Sequence, residues 1–173
     1  MGLDEFRESF DLPYLDFYRS MGVTNTRKDL DDRFRAISMA GSFQHSPFPF
    51  VMETLNALKS KGIMLCILSS HPQDMLDREI AAFGLGGMFA HALGGVHDKR
   101  EAIGGLVGST GAGADEILFV GDMAHDIEAG KTAGILTGAV LSGYHRRERL
   151  EGMEPNFIMN DIRDLRLIVE AGL

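Results

Sequence analysis

Two aspartates four residues apart, Asp122 and Asp126, end an apolar run in ILFVGDMAHDIEAGKTAGI, residues 117–135. ILFV has no polar residue alternating with the apolar ones, so it reads as a strand covered on both faces. A carboxylate at the tip of such a strand emerges at a sheet edge, with water on one side only. Hard oxygen donors in that place suit Mg²⁺, which takes one or two carboxylates, keeps several waters and completes its shell with substrate phosphate. An aspartate before a helix is also a common N-cap. Capping explains Asp126 well and Asp122 poorly.

Two further strand ends carry polar groups. CILSS, residues 66–70, closes in the hydroxyl pair Ser69 and Ser70, just before a helix whose free N–H groups favour anions. Taken alone, serine there is a helix cap. GGVHDKREAI puts Lys99 in the first turn of a helix. The helix dipole disfavours a cation at that end, so a lysine held there implies an anion to meet. His71 and His125 flank these groups and read as surface residues near the site. Arg146 and Arg147, in the charged segment YHRRERLEG (144–152), read the same way.

The elements that must position these groups follow from periodicity. Leu3, Phe6 and Phe10, then Tyr14, Phe17, Tyr18 and Met21, give a helix over 3–21 broken at Pro13. Thr26 and Asp29 form a capping box that opens a second helix with Leu30, Phe34 and Ile37. These two make a helical hairpin over residues 1–45. From residue 46 onward strands alternate with helices: IMLCIL (63–68), MFAHAL (88–93), ILFV (117–120), LTGAVL (136–141) and NFIMN (156–160). That alternation predicts an α/β core over 46–173, with a mostly parallel sheet covered by helices on both faces. Ligands sit at the carboxyl ends of strands in such sheets.

Composition narrows the function classes. A chain of 173 residues with a net charge of −8 offers no electropositive surface for nucleic acid or an anionic membrane. No apolar run is long enough to span a bilayer, and no signal peptide is seen. The single cysteine, Cys66, lies in an apolar run and reads as a small buried hydrophobe in a reducing cytoplasm.

In order, the hydroxyl, the lysine and the acid pair resemble the motifs of the haloacid dehalogenase superfamily, over roughly residues 46–165. The phosphoglycolate-phosphatase-like branch is the best match, its small helical cap resembling the hairpin. The resemblance implies a Rossmann-like fold and a Mg²⁺-dependent phosphatase acting on a small phosphorylated metabolite. Ser69, with Ser70 one step off, would bind the phosphoryl group. Lys99 would neutralise it, and Asp122 and Asp126 would hold Mg²⁺.

One family motif is missing. The family's first strand ends in Asp-x-Asp, whose first aspartate is the nucleophile, and it lies in the sheet between the strands ending here in Ser69 and Asp122. FDLPY (10–14) is the closest text, but Pro13 occupies the acid/base position, and Asp4 has no strand before it. Asp11 and Asp4 therefore read as ordinary surface or turn acids. Catalysis is expected to be impaired or lost, and Mg²⁺ binding weakened. The alternative function is a non-catalytic binding or assembly module, or a truncated fragment, that self-associates as a homo-oligomer. Carbon–halogen hydrolysis needs the same missing aspartate and ranks behind both. The two flanking strands are left to pair directly, to be covered by a second copy, or to await a segment of a longer protein.

Overall fold

The computed structural model describes residues 2, 5–6, 9–40 and 46–172, with the Met39 side chain left aside. Leu3, Asp4 and the expected boundary at residue 45 lie outside them.

Residues 5, 6 and 9 are helical, and the helix breaks before Pro13 as the sequence predicts. Helix α1 (Tyr14–Ser20) follows the proline and α2 spans Arg27–Ala40. The capping box before α2 forms in both directions. The Thr26 N–H donates to Asp29 Oδ2 at 2.9 Å, and the Asp29 N–H donates to Thr26 Oγ1 at 3.2 Å. Phe6, Phe10 and Phe17 pack their rings with centroids 5.0–5.5 Å apart. The apolar stripe of α2 is not buried against α1, however: Phe34 and Ile37 remain 45% and 64% exposed. Polar contacts tie the hairpin down instead. The Tyr14 hydroxyl donates to Asp31 at 2.5 Å, the Arg27 guanidinium to the Gly95 carbonyl at 2.5 Å, and Arg35 pairs with Asp74 at 2.7 Å.

Helices α3 (Val51–Ser60), α4 (Gln73–Ala82), α5 (Lys99–Thr110), α6 (Ala124–Thr132), α7 (Arg147–Glu151) and α8 (Asp164–Glu170) alternate with five strands. These are β1 (Cys66–Leu68), β2 (His91–Leu93), β3 (Leu118–Gly121), β4 (Leu136–Val140) and β5 (Phe157–Met159). All pairings are parallel, as expected for an α/β fold. The strands form two sheets, β1–β2 and β3–β4–β5. β1 and β3 do not pair with each other, which removes direct pairing as the answer to the missing strand. The first two strands are also shorter than their apolar runs, Cys66–Leu68 against 63–68 and His91–Leu93 against 88–93.

Two apolar layers nonetheless run continuously across both sheets. On one face Cys66 and Leu68 join Ile117 and Phe119 against Ile103 and Leu106 of α5. On the other, Ile63 and Leu65 join Leu118 and Val120 against Leu58 of α3 and Leu165 of α8. The helices thus bridge what the strands leave open, and they hold the two sheets in one layer.

Three glycines do not prevent α5. Asp98 caps it by accepting the Arg100 N–H at 2.9 Å, and Gly111 closes it at φ +71°. Gly104 is exposed, and an added Cβ would meet nothing within 4 Å. Gly104→Ala is therefore expected to stabilise the fold by about 0.5–1 kcal/mol, read as a higher urea midpoint at unchanged slope. A lower midpoint would show that α5 needs flexibility there.

Candidate functional site

The four predicted residues all follow strands at one rim. Ser69 comes directly after β1, Lys99 opens α5 after β2, and Asp122 follows β3, with Asp126 in the first turn of α6. The Lys99 ammonium lies 2.5 Å from Asp126 Oδ1, with side-chain exposures of 13% and 3%. This contact joins the two sheets at the rim. The anion anticipated for a lysine at a helix start is thus, in the first instance, Asp126.

Asp126 is fixed on both oxygens, since its Oδ2 also accepts the Met123 N–H at 3.1 Å. That reach-back is half of a capping box and accounts for its place in α6. Gly121 makes room for it, because a Cβ at that position would overlap the Asp126 side chain.

Asp122 is held by a loop that the motif search passed over. Tyr144 donates its N–H to Asp122 Oδ2 at 2.7 Å, and His145 donates its N–H to the Asp122 carbonyl at 3.0 Å. Gly143, just before them, leaves space that a Cβ would fill by overlapping Asp122. Burial pushes the Asp122 carboxyl above the usual carboxylate range, and the neighbouring Asp126 pushes it the same way. The Lys99 charge and the Tyr144 N–H act against that shift.

Ser69 is stitched to the lysine loop through backbone bonds. Its N–H donates to Leu93 O at 2.8 Å and its carbonyl accepts from Val96 at 3.0 Å, three residues before Lys99. Its Oγ accepts the His71 N–H at 3.1 Å in the loop before the helix; the helix-cap reading does not hold, because α4 starts at Gln73 with Pro72 at its N-cap and no side-chain cap bond. Accepting that bond leaves the hydroxyl proton available to an anion. Ser70 is half-buried beside it.

Two histidines read as surface residues are buried. His125, expected to face solvent, is 1% exposed. Its Nε2 accepts the Lys99 backbone N–H at 3.1 Å, which places the ring proton on Nδ1. His145, in the segment read as a solvated loop, is 3% exposed. Its Nδ1 accepts the Ala124 N–H at 2.9 Å, so its Nε2–H donates to the Phe10 carbonyl at 3.0 Å. Burial holds both imidazoles below the usual histidine range and hence neutral. Each satisfies a backbone N–H at the start of a helix. His71 is half-buried, 3.4 Å from Glu79. Arg147 pairs with Glu151 at 2.9 Å, a surface role as read.

The hairpin reaches the same loops. Phe34 meets His71 edge-on at 5.6 Å between centroids, and Tyr14 meets His97 at 5.7 Å. Asp11, weighed as a nucleophile, has its carboxylate on Arg149 at 2.5 Å and on the Leu12 N–H at 2.8 Å. Its role is to fasten the chain before α1 to α7.

Asp122 and Asp126 supply hard oxygens, pinned by glycine-cleared packing, and their mutual repulsion would fall on binding a cation. That donor set fits Mg²⁺, which needs no more than two carboxylates. Among the described residues no cluster of three acids, histidines or cysteines offers a fuller metal site. Nor is any helix long and apolar enough to cross a membrane.

A sequence profile described as haloacid dehalogenase-like hydrolase matches residues 1–140. Phosphoglycolate phosphatase of Haemophilus influenzae is 31% identical over 127 residues, covering 70% of this chain and 57% of that protein. The enzyme of the same name from Escherichia coli K12 is 30% identical over 144 residues, covering 80% and 56%. The chain thus spans a little over half the length of these relatives. A crystal structure described as a predicted phosphoglycolate phosphatase from Haemophilus somnus 129pt superposes with a TM-score of 0.68 at 26% identity, covering 98% of this chain and 68% of that one. A haloacid dehalogenase-like family hydrolase from Streptococcus pneumoniae shares the fold with a TM-score of 0.76 at 14% identity, covering 99% and 82%.

Proposed function

The chain belongs to the haloacid dehalogenase-like hydrolases, and from that membership we propose that its strand-end rim binds Mg²⁺ and the phosphate of a small organic phosphomonoester, as part of a cytoplasmic phosphatase. The observation that carries this reading is the Lys99–Asp126 contact beside Asp122 at the carboxyl ends of parallel strands. The phosphoglycolate phosphatases it resembles support the substrate class.

Each residue has a role that its surroundings permit. The Ser69 hydroxyl, with Ser70 beside it, donates to a phosphoryl oxygen. Lys99 has three N–H donors, so it can keep Asp126 and still reach an anion. Asp122 and Asp126 hold the metal. Bound there, Mg²⁺ neutralises charge on the phosphoryl group as a Lewis acid. Phe34 and Tyr14, on the hairpin, touch the loops carrying Ser69 and Lys99, which suits a cap that limits access to the rim.

A second reading, a non-catalytic binding or self-associating module, is favoured by one observation. Asp11, the nearest sequence match to a nucleophile, is already engaged with Arg149. Under this reading the rim binds phosphate and metal without turnover.

Asp122→Asn separates the two. Asparagine keeps an acceptor for the Tyr144 N–H and removes the charge that burial opposes. The variant is expected to gain about 0.5–2 kcal/mol of stability, as when a functional site is relieved of strain. In calorimetry it should lose Mg²⁺ affinity about tenfold or more. If the wild type also hydrolyses an aryl phosphate with Mg²⁺ and the variant does not, the phosphatase reading holds. Mg²⁺ binding without turnover selects the module. An absence of Mg²⁺ binding by the wild type would refute both assignments of the acid pair.

A further inference from the structure

We propose that His125 is a positioning residue for the rim. It fixes the start of α5, so that the Lys99 ammonium keeps Asp126 and still faces an incoming phosphate. This role rests on the reading of Lys99 as the phosphate-binding cation and extends it by one residue.

Consecutive residues of α6 clasp Lys99 at both of its ends. Its backbone N–H donates to His125 Nε2 at 3.1 Å, and its ammonium donates to Asp126 Oδ1 at 2.5 Å. α5 follows β2 and α6 follows β3, so the clasp spans the two sheets. A lysine side chain is a long flexible stem, and a contact at its tip alone leaves many paths from Cα to Nζ. Holding the backbone at one end and the ammonium at the other removes most of them. The direction matters, because the ammonium must keep Asp126 and still aim a second N–H at an anion.

α5 does not supply this acceptor itself. A first-turn N–H has no partner within its own helix. The cap, Asp98, accepts the Arg100 N–H at 2.9 Å and binds the Arg100 guanidinium at 2.7 Å. The Lys99 N–H is left to be met from another element. His125 meets it at a cost. The residue is 1% exposed, yet its Nδ1 is buried without a hydrogen-bond partner, with Glu128 4.0 Å away. Asp98 Oδ1, 3.4 Å from Nε2, is already engaged with Arg100. A buried ring nitrogen left unpaired is unfavourable, and an apolar side chain of that size would avoid it. What histidine contributes here is the acceptor at Nε2.

Variants of the full chain test the role. His125→Gln carries an amide oxygen to the place of Nε2 and can still accept the Lys99 N–H. His125→Leu keeps the bulk and accepts nothing. His125→Asn ends at the place of Nδ1, short of Lys99, and replaces the leucine variant if that one does not fold. The first readout needs no ligand. It is the nitrogen resonance of the Lys99 ammonium, assigned by its loss in Lys99→Arg, whose proton exchange is slow while Asp126 holds it. The second is calorimetric affinity for inorganic phosphate in the presence of Mg²⁺. The glutamine variant should stay near the wild type in both. The leucine variant should lose the protected ammonium signal, and its phosphate affinity should fall about tenfold or more, as when a group that orients a ligand-binding residue is removed. An unchanged ammonium signal or phosphate affinity in the leucine variant would overturn the proposal. So would a glutamine variant that behaves like the leucine one, or failure of both the leucine and asparagine variants to fold, which would make His125 a packing residue. A wild type that binds no phosphate sinks the phosphate reading of the rim instead, and the ammonium signal then decides alone whether His125 places Lys99.

Discussion

Lys99→Met is expected to destabilise the fold by about 3–5 kcal/mol, because it strands a carboxylate whose partner has been removed from a buried pair. Methionine replaces the lysine stem at similar volume, so packing contributes little to the loss. Asp126 has little contact with water to make up for a lost partner. Its side chain is 3% exposed, its second oxygen is held by the Met123 N–H, and it lies against Gly121. The lysine also lowers the tendency of Asp122 to keep its proton, so its removal disfavours charge there too. Lys99→Met/Asp126→Asn should recover more than half of the loss, as the buried charge goes with its partner. Urea unfolding of the two variants and the wild type measures this directly. A loss below about 1 kcal/mol in the single variant would mean that the pair is screened like a surface ion pair, and that the rim is wetter than its burial implies.

What could be read in the sequence was what neighbours along the chain determine. Asp122, Lys99 and Ser69 were legible because each follows an apolar run, and a strand tip is where a parallel sheet puts its chemistry. The Thr26–Asp29 box was legible because capping acts over three residues. That the Asp-x-Asp motif has no counterpart in the given residues was legible as well. Whether β1 and β3 would close on each other was not, because α3, α5 and α8 decide it by spanning both sheets. The buried histidines were out of reach for a similar reason. His125 and His145 are accommodated by the backbone N–H groups of Lys99 and Ala124, 26 and 21 residues away, and no local pattern announces such partners. The stripe of Phe34 and Ile37 shows the reverse case. Its period gave a helix correctly, yet period alone does not say what the apolar face will meet.

Gly143 carries the same lesson to a single atom. Gly143→Ala is expected to destabilise by about 1–3 kcal/mol, the range for forcing an extra methyl into filled space. The new Cβ would overlap the Asp122 side chain, so either the acid or the loop must move. The loop is not free to do so, because Tyr144 and His145 both hold Asp122 through their N–H groups at 2.7 and 3.0 Å. Moving Asp122 by about an ångström should cost roughly a hundredfold in any Mg²⁺-dependent turnover, and Mg²⁺ affinity should fall with it. Gly104→Ala is the built-in comparison. The same substitution in open space on α5 should stabilise, so opposite signs at the two positions would separate filled space from helix preference. If Gly143→Ala instead leaves both the melting temperature and the Mg²⁺ affinity at wild-type values, Asp122 can turn aside without consequence. The rim would then lack the rigidity on which a metal site of only two carboxylates depends.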